Sequence, residues 1–295
     1  MNHLSELEIT SYIDLDKNTV KKIRINRRKK TLFLIICAII FLLAVAIIGI
    51  TMNPKSYAPN YEAKSLAPSL KHLFGTDYLG RDMFARTIKG LSTSLLLGLL
   101  AATISAFIAL ALGLISATLG GKTDKIICWF VDLFMSVPHI ILLMLISFMV
   151  GRGFKGVVIG VAFTHWPNLT RVIRGEVMEI KNKHYVKVAE KLGTSKFNIA
   201  KKHIMPHVIP QFIIGLILLF PHAILHEAAV TFLGFGLPLD KPAIGIILSE
   251  AMKHISTGMW WLVFFPGLAL LLVVIMFDIL GDNLKMLIDP NSAHE

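Results

Sequence analysis

His222, His226 and Glu227 come nearest, by type and spacing, to residues that could do chemistry in this sequence. The two histidines stand four apart, so on a helix they share one face, and imidazoles placed that way suit nickel, cobalt or zinc. His226 and Glu227 also begin the His-Glu-x-x-His pattern of a zinc protease, in which two histidines hold the metal and the glutamate activates water. Val230 stands where the second histidine is needed, so an intramembrane metalloprotease lacks a ligand. Nucleotide chemistry fails in a similar way. A phosphate-binding loop needs glycine, four residues, then Gly-Lys-Ser/Thr, between a strand and a helix whose amides cradle the phosphate. Gly121, Lys122 and Thr123 supply the end of that pattern, but Ser116 takes the place of its leading glycine. Gly75 and Gly80 have the spacing, but Arg81 and Asp82 follow. No residue is therefore expected to be catalytic, and no cofactor or resident metal is assigned.

The segments that carry these residues are too apolar for water. Of 295 residues, 55% are hydrophobic and 17% charged, and mean hydropathy is +0.67. That is more apolar surface than one soluble core hides. The pattern predicts an all-α membrane bundle of six spans: Thr31–Ile50, Ser92–Leu119, Ile126–Val150, Phe154–Leu169, Val208–Phe235 and Trp260–Leu280. The first holds 20 residues, about 30 Å of helix, which matches the hydrocarbon thickness. It is too long for a signal peptide and lacks a small-x-small cleavage site, so it reads as a retained anchor. Pro221 is expected to bend the fifth span. A net charge of +11 could mean nucleic acid, but basic residues that flank apolar runs mark cytosolic membrane loops. The larger share of the 30 lysines and arginines falls in segments that are cytosolic if both termini are cytosolic. This divides the chain into a basic tail (1–30), the first span (31–50), an extracytoplasmic segment (51–90), a five-helix core (91–285) and a cytosolic C-terminal tail (286–295). Cys37 and Cys128 fall within apolar runs and imply no disulfide. His222, His226 and Glu227, ionisable groups within a span, are candidates to line a solute passage. Hydrogen bonding to neighbouring helices is the plainer reading for them, and it is also the reading for His139 and His165, each near a proline.

The longest hydrophilic stretch after the first span lies between Arg171 and His207. Tyr185, Val188, Ala189 and Leu192 recur in it at helical spacing and make a narrow apolar stripe. Gly193 should end that helix. Thr194 or Ser195 can cap a second one bearing Phe197, Ile199, Ala200 and Ile204, with Lys201, Lys202 and His203 at its end and Pro206 as its stop. A loop resting on the lipid surface would show the same pattern; a lever between two spans would use it to transmit a partner's motion.

The run YVKVAEKLGTSKFNIAKKHIMPHVIP resembles the cytosolic coupling loop (183–206) of permease subunits in binding-protein-dependent ATP-binding-cassette importers. That loop's Glu-Ala-Ala, Gly and Ile-Leu-Pro places fall on Lys187, Val188, Ala189, Gly193, Ile204, Met205 and Pro206, with Lys187, Val188 and Met205 departing from it. FGTDYLGRDMFARTIKGLSTSLLLG, WPNLTRVIRGEV, EAAVTFLGFGLP and FFPGLALLLVVIMFDILGDNLKMLIDP are similar to the dipeptide, oligopeptide and nickel branch. Ser92 stands where that branch usually has arginine, and Ile244 where it often has tryptophan. The resemblance implies a second homologous permease, two ATP-binding subunits that hold the ATP, and an extracellular solute-binding protein. It implies alternating access for peptides, or for nickel, cobalt or metal chelates. An ion-driven secondary transporter, the rival reading, calls for paired broken helices in two related halves, and the sequence shows no such halves.

Overall fold

The computed structural model describes residues 29–288. Parts of the two expected tails, 1–28 and 289–295, lie outside the described residues. The described chain is helical, with no strand among its elements. Four helices are long and apolar enough to cross a membrane: α1 (Lys29–Thr51), α2 (Met83–Leu119), α10 (Trp261–Ile288), and a rod from Lys196 to Phe232 that ends in α8 (Met205–Phe232). A fifth crossing is available if α3 (Gly121–Ser136) and α4 (His139–Val150) together make one, although they meet at 97°. The expected single span Ile126–Val150 is thus a broken one. Pro138 causes the break, because proline excludes the helical conformation from the residue before it, and Val137 is extended at φ −95°.

The expected fourth span is part of a longer helix, α5 (Phe154–Lys181), which continues through Pro167 into charged sequence. Length would let α5 cross, but its composition is not that of the four apolar helices. The count of six is therefore approximate. Likewise, α8 runs as one helix across Pro210 and Pro221. α2 begins nine residues before the expected Ser92, at Met83, with Asp82 as its cap accepting from the Ala85 amide. The segment before it, expected to be extended, makes two short turns at Pro54–Tyr57 and Tyr61–Ala63.

α2 and α5 form the spine, and α8 packs against both. Helices in lipid gain little from burying apolar groups against each other, so close contact depends on small residues. α2 supplies them: Ala102, Ala106, Ala109, Gly113 and Ala117 recur three or four apart and are all buried. α1 crosses α2 just as closely. A methyl on Gly49 would lie 2.3 Å from the Ser92 Cβ, while the Ser92 hydroxyl and Lys89 ammonium donate to the Ala46 and Gly49 carbonyls at 3.2 and 2.9 Å. An arginine at 92 could not occupy that crossing. α9 (Ile244–Met252), a short helix between α8 and α10, places Ile244 in full burial.

Candidate functional site

Between α5 and α8 the chain makes two short helices, α6 (His184–Lys191) and α7 (Lys196–Ile199). Gly193 adopts φ +83°. Its amide bonds to the Glu190 carbonyl at 3.0 Å and that of Thr194 to Ala189 at 3.1 Å, the paired bonds of a glycine-ended helix. Ser195 caps α7 by accepting from the Asn198 amide. The hinge sits where the sequence places it.

Pro206 does not stop the second helix. The chain passes from α7 through a wider π turn, Ala200–Ile204, directly into α8. The Met205 amide reaches back to the Ala200 carbonyl, and Pro206 follows as the second residue of α8. The second short helix and the following span are consequently one rod of 37 residues.

The stripe of Tyr185, Val188, Ala189 and Leu192 faces outward except for half-buried Ala189, while Val186, outside that stripe, is buried in the chain's own core with Ile199 and Ile204. Tyr185 and Val188 are exposed, and Leu192 and Phe197 are exposed to 80% and 74%. Tyr185 lies beside the His203 and His207 rings, 6.1 and 6.2 Å away. Lys183, before α6, donates to Glu179 at 2.9 Å, and that bond holds its ammonium above the usual lysine range. Lys181 fixes the other side of the element by donating to the Ala117 and Thr118 carbonyls, at 3.0 and 3.2 Å, at the end of α2.

The three polar residues of the fifth span separate. His222 is exposed and Glu227 is wholly buried, accepting from the Thr231 hydroxyl at 2.9 Å. His226 instead meets His139 of α4 and His165 of α5. The ring centres lie 4.4 Å apart for His139–His165 and His139–His226, and 5.0 Å for His165–His226. Helical periodicity joins His222 to His226, but contact between helices joins His226 to the two histidines that sequence alone treats as unremarkable.

A second polar constellation escaped the sequence reading. Asp77, just before α2, accepts from Arg81 Nε at 2.6 Å and Arg86 Nη1 at 3.2 Å. Glu250 of α9 accepts from Arg81 at 2.9 Å and Arg86 at 2.5 Å. Two acids and two bases close a ring. Burial works against a charged Arg81, yet Asp77 and Glu250 outweigh it and hold the guanidinium above its ordinary range. Trp261 at the start of α10 donates to the Thr76 carbonyl at 3.3 Å, so three elements converge here. Acidic and basic residues packed into DYLGRDMFAR were the available signal.

A bundle with a short-helix element between two long helices, four of its helices long and apolar enough to cross a membrane, is that of a multi-pass membrane protein. Residues 109–290 match the family described as binding-protein-dependent transport system inner membrane component, and the chain belongs to that family. It is 32% identical over 253 residues to the dipeptide transport system permease protein DppC of Bacillus subtilis, covering 85% of this chain and 79% of that one. The oligopeptide transport system permease protein OppC of the same organism is 33% identical, with 76% and 73% covered. A probable D,D-dipeptide permease protein of Escherichia coli, DdpC, is 32% identical, with 78% and 77% covered. In fold the chain is similar to a chain of the inward-facing methionine transporter MetNI, with TM-score 0.59, 17% identity, and 70% and 98% coverage. The chain is a permease component of a binding-protein-dependent importer.

Proposed function

We propose that this subunit carries short peptides inward, with the α6–α7 element as the contact through which ATP-binding partners move it. The exposed apolar patch of Tyr185, Val188, Leu192 and Phe197 carries the reading. Four large apolar groups on an otherwise charged loop are what a partner's groove buries. The patch is also mechanically connected: the π turn joins α7 to the rod ending in α8, and Lys181 ties the end of α5 to α2. Packed helices move as rigid bodies, so a push at Phe197, on the rod itself, reaches the bundle without being lost in slack chain.

In this reading both termini and α6–α7 are cytosolic, and the ionic ring faces a solute-binding protein on the other side. A second homologous permease completes the passage, two partner subunits bind ATP, and this chain holds no ATPase site. Peptide is the cargo borne by the named relatives with which it shares about a third of its aligned residues. Reconstituted complexes carrying Ala189→Asp together with Gly193→Val should lose ATP-dependent peptide uptake while still assembling in the membrane. Normal uptake by that double variant rejects the lever.

A further inference from the structure

We infer that His139, His165 and His226 form a binding site for one first-row divalent cation, of the nickel, cobalt or zinc kind, that clasps α4 to α5 and α8. One ring nitrogen from each residue lies within 4.8 Å of the other two. Zinc–imidazole bonds of about 2.0–2.1 Å in a tetrahedral site put nitrogens about 3.4 Å apart, so the rings need only close inward by an ångström or so.

The remaining nitrogens are already engaged as ligating histidines require. A metal-bound imidazole generally donates its other N–H to a carbonyl or carboxylate, which fixes the tautomer and aims the lone pair. Here His165 Nδ1 faces the Val161 carbonyl at 2.9 Å, His139 Nε2 the Thr164 carbonyl at 3.2 Å, and His226 Nδ1 the His222 carbonyl at 2.7 Å. With those nitrogens donating, His165 Nε2, His139 Nδ1 and His226 Nε2 keep their lone pairs. His139 Nδ1 is buried with no hydrogen-bond partner among the described residues, a cost that a cation removes. His165 Nε2 rests 3.3 Å from His226 Nδ1, a contact that a cation must displace to reach the His165 lone pair.

The ligand set also defines the ion. Three neutral imidazoles suit nickel, cobalt, copper and zinc rather than magnesium or calcium, which take oxygen. Three protein ligands leave a fourth position open, and a double charge within a membrane bundle favours an anionic oxygen donor there. Glu227 is not among the groups whose ligand atoms gather here; its Oε1 accepts from Thr231 instead. The site lies next to the 97° break between α3 and α4, and a bound ion would hold that break to the α5–α8 pair. The site needs neither peptide cargo nor ATP coupling, so its test stands apart from the transport reading.

The full-length chain, purified in detergent with its partner subunits and freed of metal, is titrated with cobalt(II) chloride. One equivalent per chain should bind with the visible absorption of a four-coordinate, nitrogen-ligated ion, and nickel and zinc chloride should displace it. His139→Gln, His165→Gln and His226→Gln should each abolish that spectrum, while the His203→Ala/His207→Ala variant keeps it. Because a variant can lose the site by misfolding, wild-type protein should also gain at least 3 °C in melting temperature with zinc chloride and gain nothing with magnesium chloride. No four-coordinate spectrum in the wild type, or a spectrum lost with His203 and His207 instead, overturns the site.

Discussion

Arg174 of α5 grips Asp124 of α3 through two parallel hydrogen bonds, Nε to Oδ1 at 2.6 Å and Nη2 to Oδ2 at 2.7 Å. The Ser116 hydroxyl near the end of α2 bonds the same carboxylate. Three helices are thus pinned at one acid, about two turns before α5 ends and leads into α6. The guanidinium's planar fork makes this geometry, which a lysine cannot reproduce. Arg174→Lys should therefore cost about 1–2 kcal/mol, the worth of a hydrogen bond to a charged group at a partly exposed site. Thermal unfolding of the assembled complex reads it. A double-mutant cycle of Arg174→Ala with Asp124→Ala should show coupling; strictly additive losses would mean that the pair contributes nothing as a pair.

Gly193 offers a cleaner probe of the loop. No atom lies within 4 Å of a Cβ built there, so a substitution meets only backbone strain. At φ +83° an L side chain costs about 1–2 kcal/mol. Gly193→Asn, which tolerates this conformation better than other residues, should keep near-normal uptake, whereas Gly193→Val should not. Equal uptake by both would show that the angle between α6 and α7 is immaterial to coupling.

These two sites differ in how far the sequence revealed them. The Gly193 hinge and a cap at Thr194 or Ser195, found at Ser195, were legible because helix ends are written in local residue types. The first span was legible too, expected at Thr31–Ile50 and found as Lys29–Thr51. The start of α2 was not. Arg86 and Lys89 interrupt the apolar run, and Arg86 is tolerated in the helix because it pairs with Glu250, 164 residues away. The break at Pro138 was hidden by apolar sequence on both sides, which looks the same in a straight span and a bent one. His226 and His165 are 61 residues apart, and periodicity within one helix cannot report a neighbour on another.

The crossing of α1 over α2 gives a prediction about packing. With Gly49 against Ser92, added volume has nowhere to go. Gly49→Leu should destabilise the subunit by about 1–3 kcal/mol through overpacking, seen as a lower melting temperature of the complex in detergent. Ser92→Arg, the residue usual at that place in the resembling branch, should do at least as much harm, because it would also have to displace the contact to the Ala46 carbonyl. If Ser92→Arg leaves stability intact, α1 is not held to α2 in the way described.

The ionic ring of Asp77, Arg81, Arg86 and Glu250 allows a test that separates charge balance from simple contact. The Arg86 and Asp77 side chains are 5% and 3% exposed, so removing one charge strands others out of water. Breaking a buried pair from one side costs about 3–5 kcal/mol, whereas removing both partners together is often far milder. Arg86→Met alone should accordingly lower stability severely, since Asp77 and Glu250 then share one cation. Adding Glu250→Gln restores neutrality and leaves the Arg81 bond to Asp77 at 2.6 Å, so the double variant should regain more than half of the loss. Melting temperatures of the two variants in the assembled complex measure this directly. A double variant less stable than Arg86→Met would show that the ring acts through individual bonds rather than through compensation of charge.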